Sequence, residues 1–132
     1  MNIQKIKPYR SPKHLAWIRF MPCCHCGTDY GVIAHHLIAC GLGGTMGGKP
    51  SDALTIPLCV NCHAIVHAAE GAYTINQLWN FYQIIRYSVR CGDIIGCNID
   101  FSCSVINSDK WFLIEFANTV KNGFDSGEFV LK

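Results

Sequence analysis

Apolar and polar positions change period several times along this chain, and each change marks an expected element. Residues 1–21 scatter basic residues around Pro8 and Pro12 and read as an irregular or extended arm ending in the apolar-basic run LAWIRF. The stretch YGVIAHHLI, 30–38, is rich in β-branched residues and predicts a strand. Residues 39–51, ACGLGGTMGGKPS, hold five glycines and a proline. That composition predicts a loop without regular structure, of a length that in a small domain is often functional. A second strand is expected over ALTIP, 53–57, followed by a helix over VNCHAIVHAAEG, 60–71, with Gly71 as its stop. Residues 73–90 predict an amphipathic helix with Thr74 as N-cap. Beyond it, CGDIIGCNIDFSCSVI has strand-like composition, and SDKWFLIEFANTVKNG predicts a capped helix that ends before Gly123. The sum is an α+β chain with a basic arm over 1–20, a core over 21–72 and a helical or mixed extension over 73–132.

The adjacent pair His35 and His36 sits inside the first expected strand, where successive side chains point to opposite faces. The two rings therefore need separate roles. His63 and His67, spaced i, i+4 on the expected helix, share one face instead. Four of the six histidines thus fall into two short motifs.

Composition narrows the setting. A chain of 132 residues, half of them hydrophobic, has enough apolar surface for one domain or a domain with an appended part. Lys5, Lys7, Pro8 and Arg10 interrupt any leader-like apolar run, so a cytoplasmic protein is expected. The least charged region, 53–85, still carries Asn61, His63, His67, Glu70, Asn76, Gln77 and Asn80, which argues against a membrane span. Nine cysteines without a secretion signal suggest metal ligands and buried thiols rather than disulfides. Net charge is uneven: residues 1–49 hold six bases against Asp29 alone, whereas 91–132 hold three bases against six acids. The basic front can face phosphates, with Lys13, Arg19 and Lys49 as candidate nucleic-acid contacts, or form a solvated arm.

Cys23-x-x-Cys26 and Cys59-x-x-Cys62 supply the four thiolates that a closed structural zinc site requires. The 32 residues between the pairs exceed the usual ribbon gap of about 15 to 20, so the pairs close over a sizeable insertion. Cys24 and His25 compete as local ligands, but Gly27 directly after Cys26 favours the Cys23–Cys26 register. The six-residue spacing of Cys91, Cys97 and Cys103 fits no metal pattern and reads as buried or idle thiols. His63 and His67, joined by one strand histidine, make a three-nitrogen site with open positions, the pattern of a catalytic ion; the other strand histidine is left as a base.

The run HH, glycine-rich loop, PLC-x-x-CH-x-x-x-H resembles the HNH, or ββα-metal, endonuclease motif. The longer string AHHLI...GLGGTMGGKPSDALTIPLCVNCHAIVH is similar to the phage recombination enhancement nucleases, over roughly residues 20 to 70. This resemblance implies a small zinc-stabilised ββα-metal core. It implies His35 as the strand ligand and His63 and His67 as the helix ligands of a catalytic divalent ion, with His36 as general base. The middle Asn of the HNH name is missing, and Asp52 is the candidate to orient the base by accepting a hydrogen bond from His36. The implied activity is hydrolysis of phosphodiester bonds in single- or double-stranded DNA, with a structural Zn²⁺, a catalytic Mg²⁺, Mn²⁺, Ni²⁺ or Zn²⁺, and a recombination protein as a candidate partner. Oligomeric state is not legible. The rival reading is a non-catalytic zinc module that binds DNA or protein, which leaves the four histidines without work. A nucleobase deaminase is set aside because its H-x-E motif is absent.

Overall fold

The computed structural model describes residues 9–37, 51–68, 74–101 and 110–132. Helix α1, Pro12–Arg19, opens the described chain. Ser11 caps it by accepting the His14 N–H at 3.0 Å, and Pro12 occupies the first turn, where its missing N–H costs nothing. This corrects the expected irregular arm: the Ser-Pro pair that reads as a breaker is here a helix start. The face α1 turns inward buries His14 and Ile18.

Strand β1, Val32–His36, pairs antiparallel with β2, Thr55–Cys59, in the register His35 to Ile56 and His36 to Thr55. Strand β1 is shorter than the expected 30–38, and β2 is shifted two residues along from the expected 53–57. Residues 51–54 form a turn in which the Leu54 N–H reaches Ser51 O and the Thr55 hydroxyl reaches Asp52 O, so β2 starts two residues later and ends on Cys59. Every residue of β2 is buried, because α1, α2 and α3 all pack against it. Helix α2, Val60–Ala68, follows without a linker, giving the order β, β, α. The expected stop at Gly71 lies outside the described residues.

Helix α3, Thr74–Arg90, presents Leu78, Phe81, Tyr82 and Ile85 at helical spacing to α4, Lys110–Asp125, which answers with Leu113, Phe116, Ala117 and Val120. The Tyr82 and Phe116 rings meet at 4.8 Å between centroids. Two short strands, β3, Ile94–Ile95, and β4, Val130–Leu131, tie the end of the described chain back beside α3. One buried cluster extends from Cys23 to Leu131. The strand-like stretch over 91–106 thus yields only β3 among described residues, and Cys103 lies outside them.

Helix α4 continues through Gly123 rather than ending before it. A Cβ at Gly123 would run into the buried Phe129 ring, and the Phe129 N–H donates to Gly123 O at 2.9 Å. The glycine therefore serves as a seat for an aromatic ring, not as a helix stop. Gly123→Ala should lower stability by roughly 1 to 3 kcal/mol through overpacking, read as a reduced denaturant midpoint; an unchanged midpoint would show that the ring moves aside freely.

His14 is 1% exposed and is ringed by Tyr9, Trp17 and Phe124, whose ring centroids lie 5.2 to 5.3 Å from its own. Burial holds its pKa down at about 4 from 6.5, only partly offset by the Asp52 charge. A histidine depressed in the folded state stabilises fully above its unfolded pKa, and that contribution is lost as pH falls from about 6.5 towards 4. The contribution is about 3 kcal/mol, so a His14→Phe variant should show a visibly shallower loss of melting temperature over this range than the native chain. Identical slopes would contradict this.

Candidate functional site

The two cysteine pairs come together at the C-terminal end of β2. Cys23 and Cys26 lie in the turn after α1, Cys59 closes β2, and Cys62 stands in the first turn of α2. Their four sulfurs lie within 4.8 Å of one another, with Cys26 Sγ and Cys59 Sγ at 3.7 Å. Four thiolates held tetrahedrally around zinc stand about 3.8 Å apart, so the spacing and the all-sulfur donor set fit that ion. Among the described residues this is the one group of three or more metal-binding side chains that can hold an ion.

Local backbone shapes the cage. The His25 and Cys26 N–H groups donate to Cys23 Sγ at 3.4 and 3.5 Å, and the Cys62 N–H donates to Cys59 Sγ at 3.4 Å. Gly27, at φ 81°, takes the left-handed conformation that turns the chain away after Cys26. Burial pushes the Cys23 thiol up, but main-chain N–H groups of Cys26, Cys59 and His25 outweigh it and bring the pKa to about 6. Burial and the neighbouring sulfurs push Cys62 the other way. Cys24 is outside the cage, with burial raising its thiol to about 12, while exposed His25 places Nδ1 3.5 Å from Cys62 Sγ at the cage edge.

The strand splits the histidine pair between two surroundings. His35, 8% exposed, meets His63 of α2 with ring centroids 5.0 Å apart at 72°. Imidazole nitrogens are donors of the kind that zinc and transition metals take. His67 lies on α2, but its side chain is outside the described residues. His36 is part-exposed, and its Nε2 lies 3.0 Å from Asp52 Oδ1.

Asp52 is 6% exposed and well partnered. Its Oδ2 accepts the Ser11 N–H at 2.8 Å, and the Arg10 guanidinium lies 3.6 Å from Oδ1. Its own N–H donates to Tyr9 O at 2.9 Å. Tyr9 and Ser51 are in turn bound by the Asp125 carboxylate at 2.8 and 2.9 Å, and Lys121 reaches the other Asp125 oxygen at 3.0 Å. A network from α4 through residues 9–11 thus fixes the carboxylate that faces His36. Arg10 and Ser11 were missed as site residues in the sequence; the Ser-Pro cap was the available signal, since it places residues 10 and 11 at a helix entrance. Lys13 and Arg19 stand exposed on α1, and Lys49 with the glycine loop lies outside the described residues. No described helix is long and apolar enough to cross a membrane.

Comparison with known proteins adds relatives without adding a described activity. The chain is 34% identical over 73 residues to the uncharacterized protein YdfU of Escherichia coli strain K12, an alignment covering 55% of this chain and 20% of that protein. The chain thus spans about a fifth of that relative's length. No solved structure matches it. Residues 1–92, through α3 and the turn after it, match the model of the family described as protein of unknown function DUF968, and the chain belongs to that family.

Proposed function

We propose that this chain is a metal-dependent DNA endonuclease of the HNH, ββα-metal kind, acting in DNA processing or phage recombination. The observation that carries the reading is the division of labour on β1: His35 turns to His63 on α2, while His36, the next residue, turns to Asp52. The β, β, α order and the four-cysteine cage at its base support the same reading.

His35, His63 and His67 are the residues that would hold the catalytic ion, and Cys23, Cys26, Cys59 and Cys62 the structural zinc. When bound, the ion supplies charge stabilisation to the phosphate and the departing oxygen. His36 takes a proton from water as the water oxygen bonds to phosphorus; the bond to the 3′ oxygen breaks, and that oxygen acquires a proton from solvent. The Asp52 oxygen at 3.0 Å holds the imidazole in position. Lys13, Arg19 and Lys49 contribute phosphate contacts that are independent of sequence.

A metal titration tests the reading against that of a zinc module. Protein with its cysteine cage filled should bind one further, weaker and exchangeable ion, and His63→Ala should remove that second event alone. A single tightly held zinc and no second event would leave only the module.

A further inference from the structure

Asp125 comes from the end of α4, beyond the residues 1–92 that the family model matches, yet its contacts converge on the segment around Asp52. Its Oδ1 accepts the Tyr9 N–H at 2.8 Å and the Ser51 hydroxyl at 2.9 Å. From these two groups the bonding runs on to Asp52 and the residue after it. The Tyr9 carbonyl accepts the Asp52 N–H at 2.9 Å, and the Ser51 hydroxyl oxygen accepts the Ala53 N–H at 3.2 Å. The Ser11 N–H, two residues on from Tyr9, meets Asp52 Oδ2 at 2.8 Å. One carboxylate oxygen of α4 thus fastens both chain segments, 9–11 and 51–53, that fix the partner of His36.

Holding the tail in place does not call for this carboxylate. Strands β3 and β4 already pair there, and Phe124 and Phe129 are buried in the core. Phe124 also lies against the Tyr9 and His14 rings, at 5.1 and 5.2 Å between centroids. A carboxylate at a helix C-terminus opposes the dipole, and this one, with its side chain 4% exposed, gives up most of its hydration. Lys121 Nζ, 3.0 Å from Oδ2, compensates the charge and leaves Oδ1 to its two donors. What an apolar residue could not supply here is a fixed acceptor for Tyr9 and Ser51. Resting on the nuclease reading above, we propose that Asp125 is a positioning residue of the reaction: through Tyr9 and Ser51 it sets where Asp52 stands, and so where the His36 imidazole meets the attacking water. The C-terminal segment is then part of the cleavage machinery as well as a cover for α3.

The test compares the native chain with Asp125→Ala, Asp125→Asn, Lys121→Met and Ser51→Ala on one duplex substrate. All have the cysteine cage filled, and cleavage is followed at saturating Mn²⁺ and at a temperature where each is folded. Asp125→Ala should lower kcat by roughly 10- to 100-fold, the usual loss when a group that orients a site from behind is removed. KM should stay unchanged, because no DNA contact is lost. Asp125→Asn keeps an acceptor oxygen for Tyr9 and Ser51 and should recover most of kcat. Lys121→Met removes the ion pair but not those two bonds, so it should lower the melting temperature and leave kcat native. Ser51→Ala cuts one of the two routes and should lower kcat in the same sense; it carries the test if Asp125→Ala does not fold. Backbone amide exchange gives a readout apart from cleavage. In Asp125→Ala the Ser11, Asp52 and Ala53 N–H groups should exchange faster, while the Cys24 N–H, bonded to Pro57 O, keeps its native rate.

Native kcat in Asp125→Ala, a raised KM with native kcat, or an Asn variant as slow as the Ala variant would overturn the proposal. An equal loss in Lys121→Met would also overturn it, since kcat would then follow stability. So would unchanged exchange at Ser11 and Asp52. If the native protein cleaves nothing, the nuclease reading fails and exchange alone decides: a local rise in Asp125→Ala keeps Asp125 as the support of Asp52, and no rise removes it.

Discussion

His36→Ala should retain both metals and DNA yet lose roughly 10² to 10⁴ in cleavage rate, the range expected when a general base is removed. His35→Ala should fail differently. Its ring is buried against His63, so its loss weakens the exchangeable ion, and raising Mn²⁺ should recover part of the rate. Excess ion should not rescue His36→Ala, because the missing function is proton acceptance rather than metal binding. The physical ground for the contrast is the strand itself: adjacent residues on β1 face different neighbours, so adjacent substitutions remove different parts of one reaction. The reverse pattern would exchange the roles, and two fully active variants would end the nuclease reading.

Cys59→Ser should unfold or aggregate the domain. Binding of zinc by four thiolates contributes on the order of 10 kcal/mol or more at neutral pH, comparable with the whole stability of a domain of this size. Cys59 also stands at the junction of β2 and α2, where its sulfur accepts the Cys62 N–H, so the loss of the ion disturbs α2, which carries His63, and β2, which pairs with the strand that carries His35. Cys24→Ala is the matched control: this thiol is outside the cage, and its removal should leave metal stoichiometry intact. Native thermal stability in metal-free Cys59→Ser would remove the structural role of the cage.

What was legible in the sequence was local. The C-x-x-C turns announce their ligands through three-residue spacing, and the closing of the two pairs across 32 residues follows from the four ligands such a site needs. The opposite facing of His35 and His36 follows from strand geometry alone. Helix α3 declares itself by its apolar stripe, Leu78, Phe81, Tyr82 and Ile85. What was missed depends on distant partners. Pro12 reads as a breaker until Ser11 is seen capping the helix it begins. Gly123 reads as a stop until Phe129 folds back over it. The Ser11 N–H meets Asp52 across 41 positions and the Tyr9 N–H meets Asp125 across 116, separations at which no periodicity or short motif carries information. Asp125, at the C-terminal end of α4 where a negative charge opposes the helix dipole, makes sense only as the acceptor for Tyr9, Ser51 and Lys121.

The most direct measurement is nicking of supercoiled plasmid by the native protein with its cysteine cage filled, in parallel reactions containing added Mg²⁺, Mn²⁺, Ni²⁺ or Zn²⁺ and none. Open-circular product should form with at least one added ion, carry 5′-phosphate and 3′-hydroxyl ends, and be absent when His36 is replaced by Ala. Plasmid that stays supercoiled with every ion, in protein shown to be folded and zinc-loaded, would contradict the account.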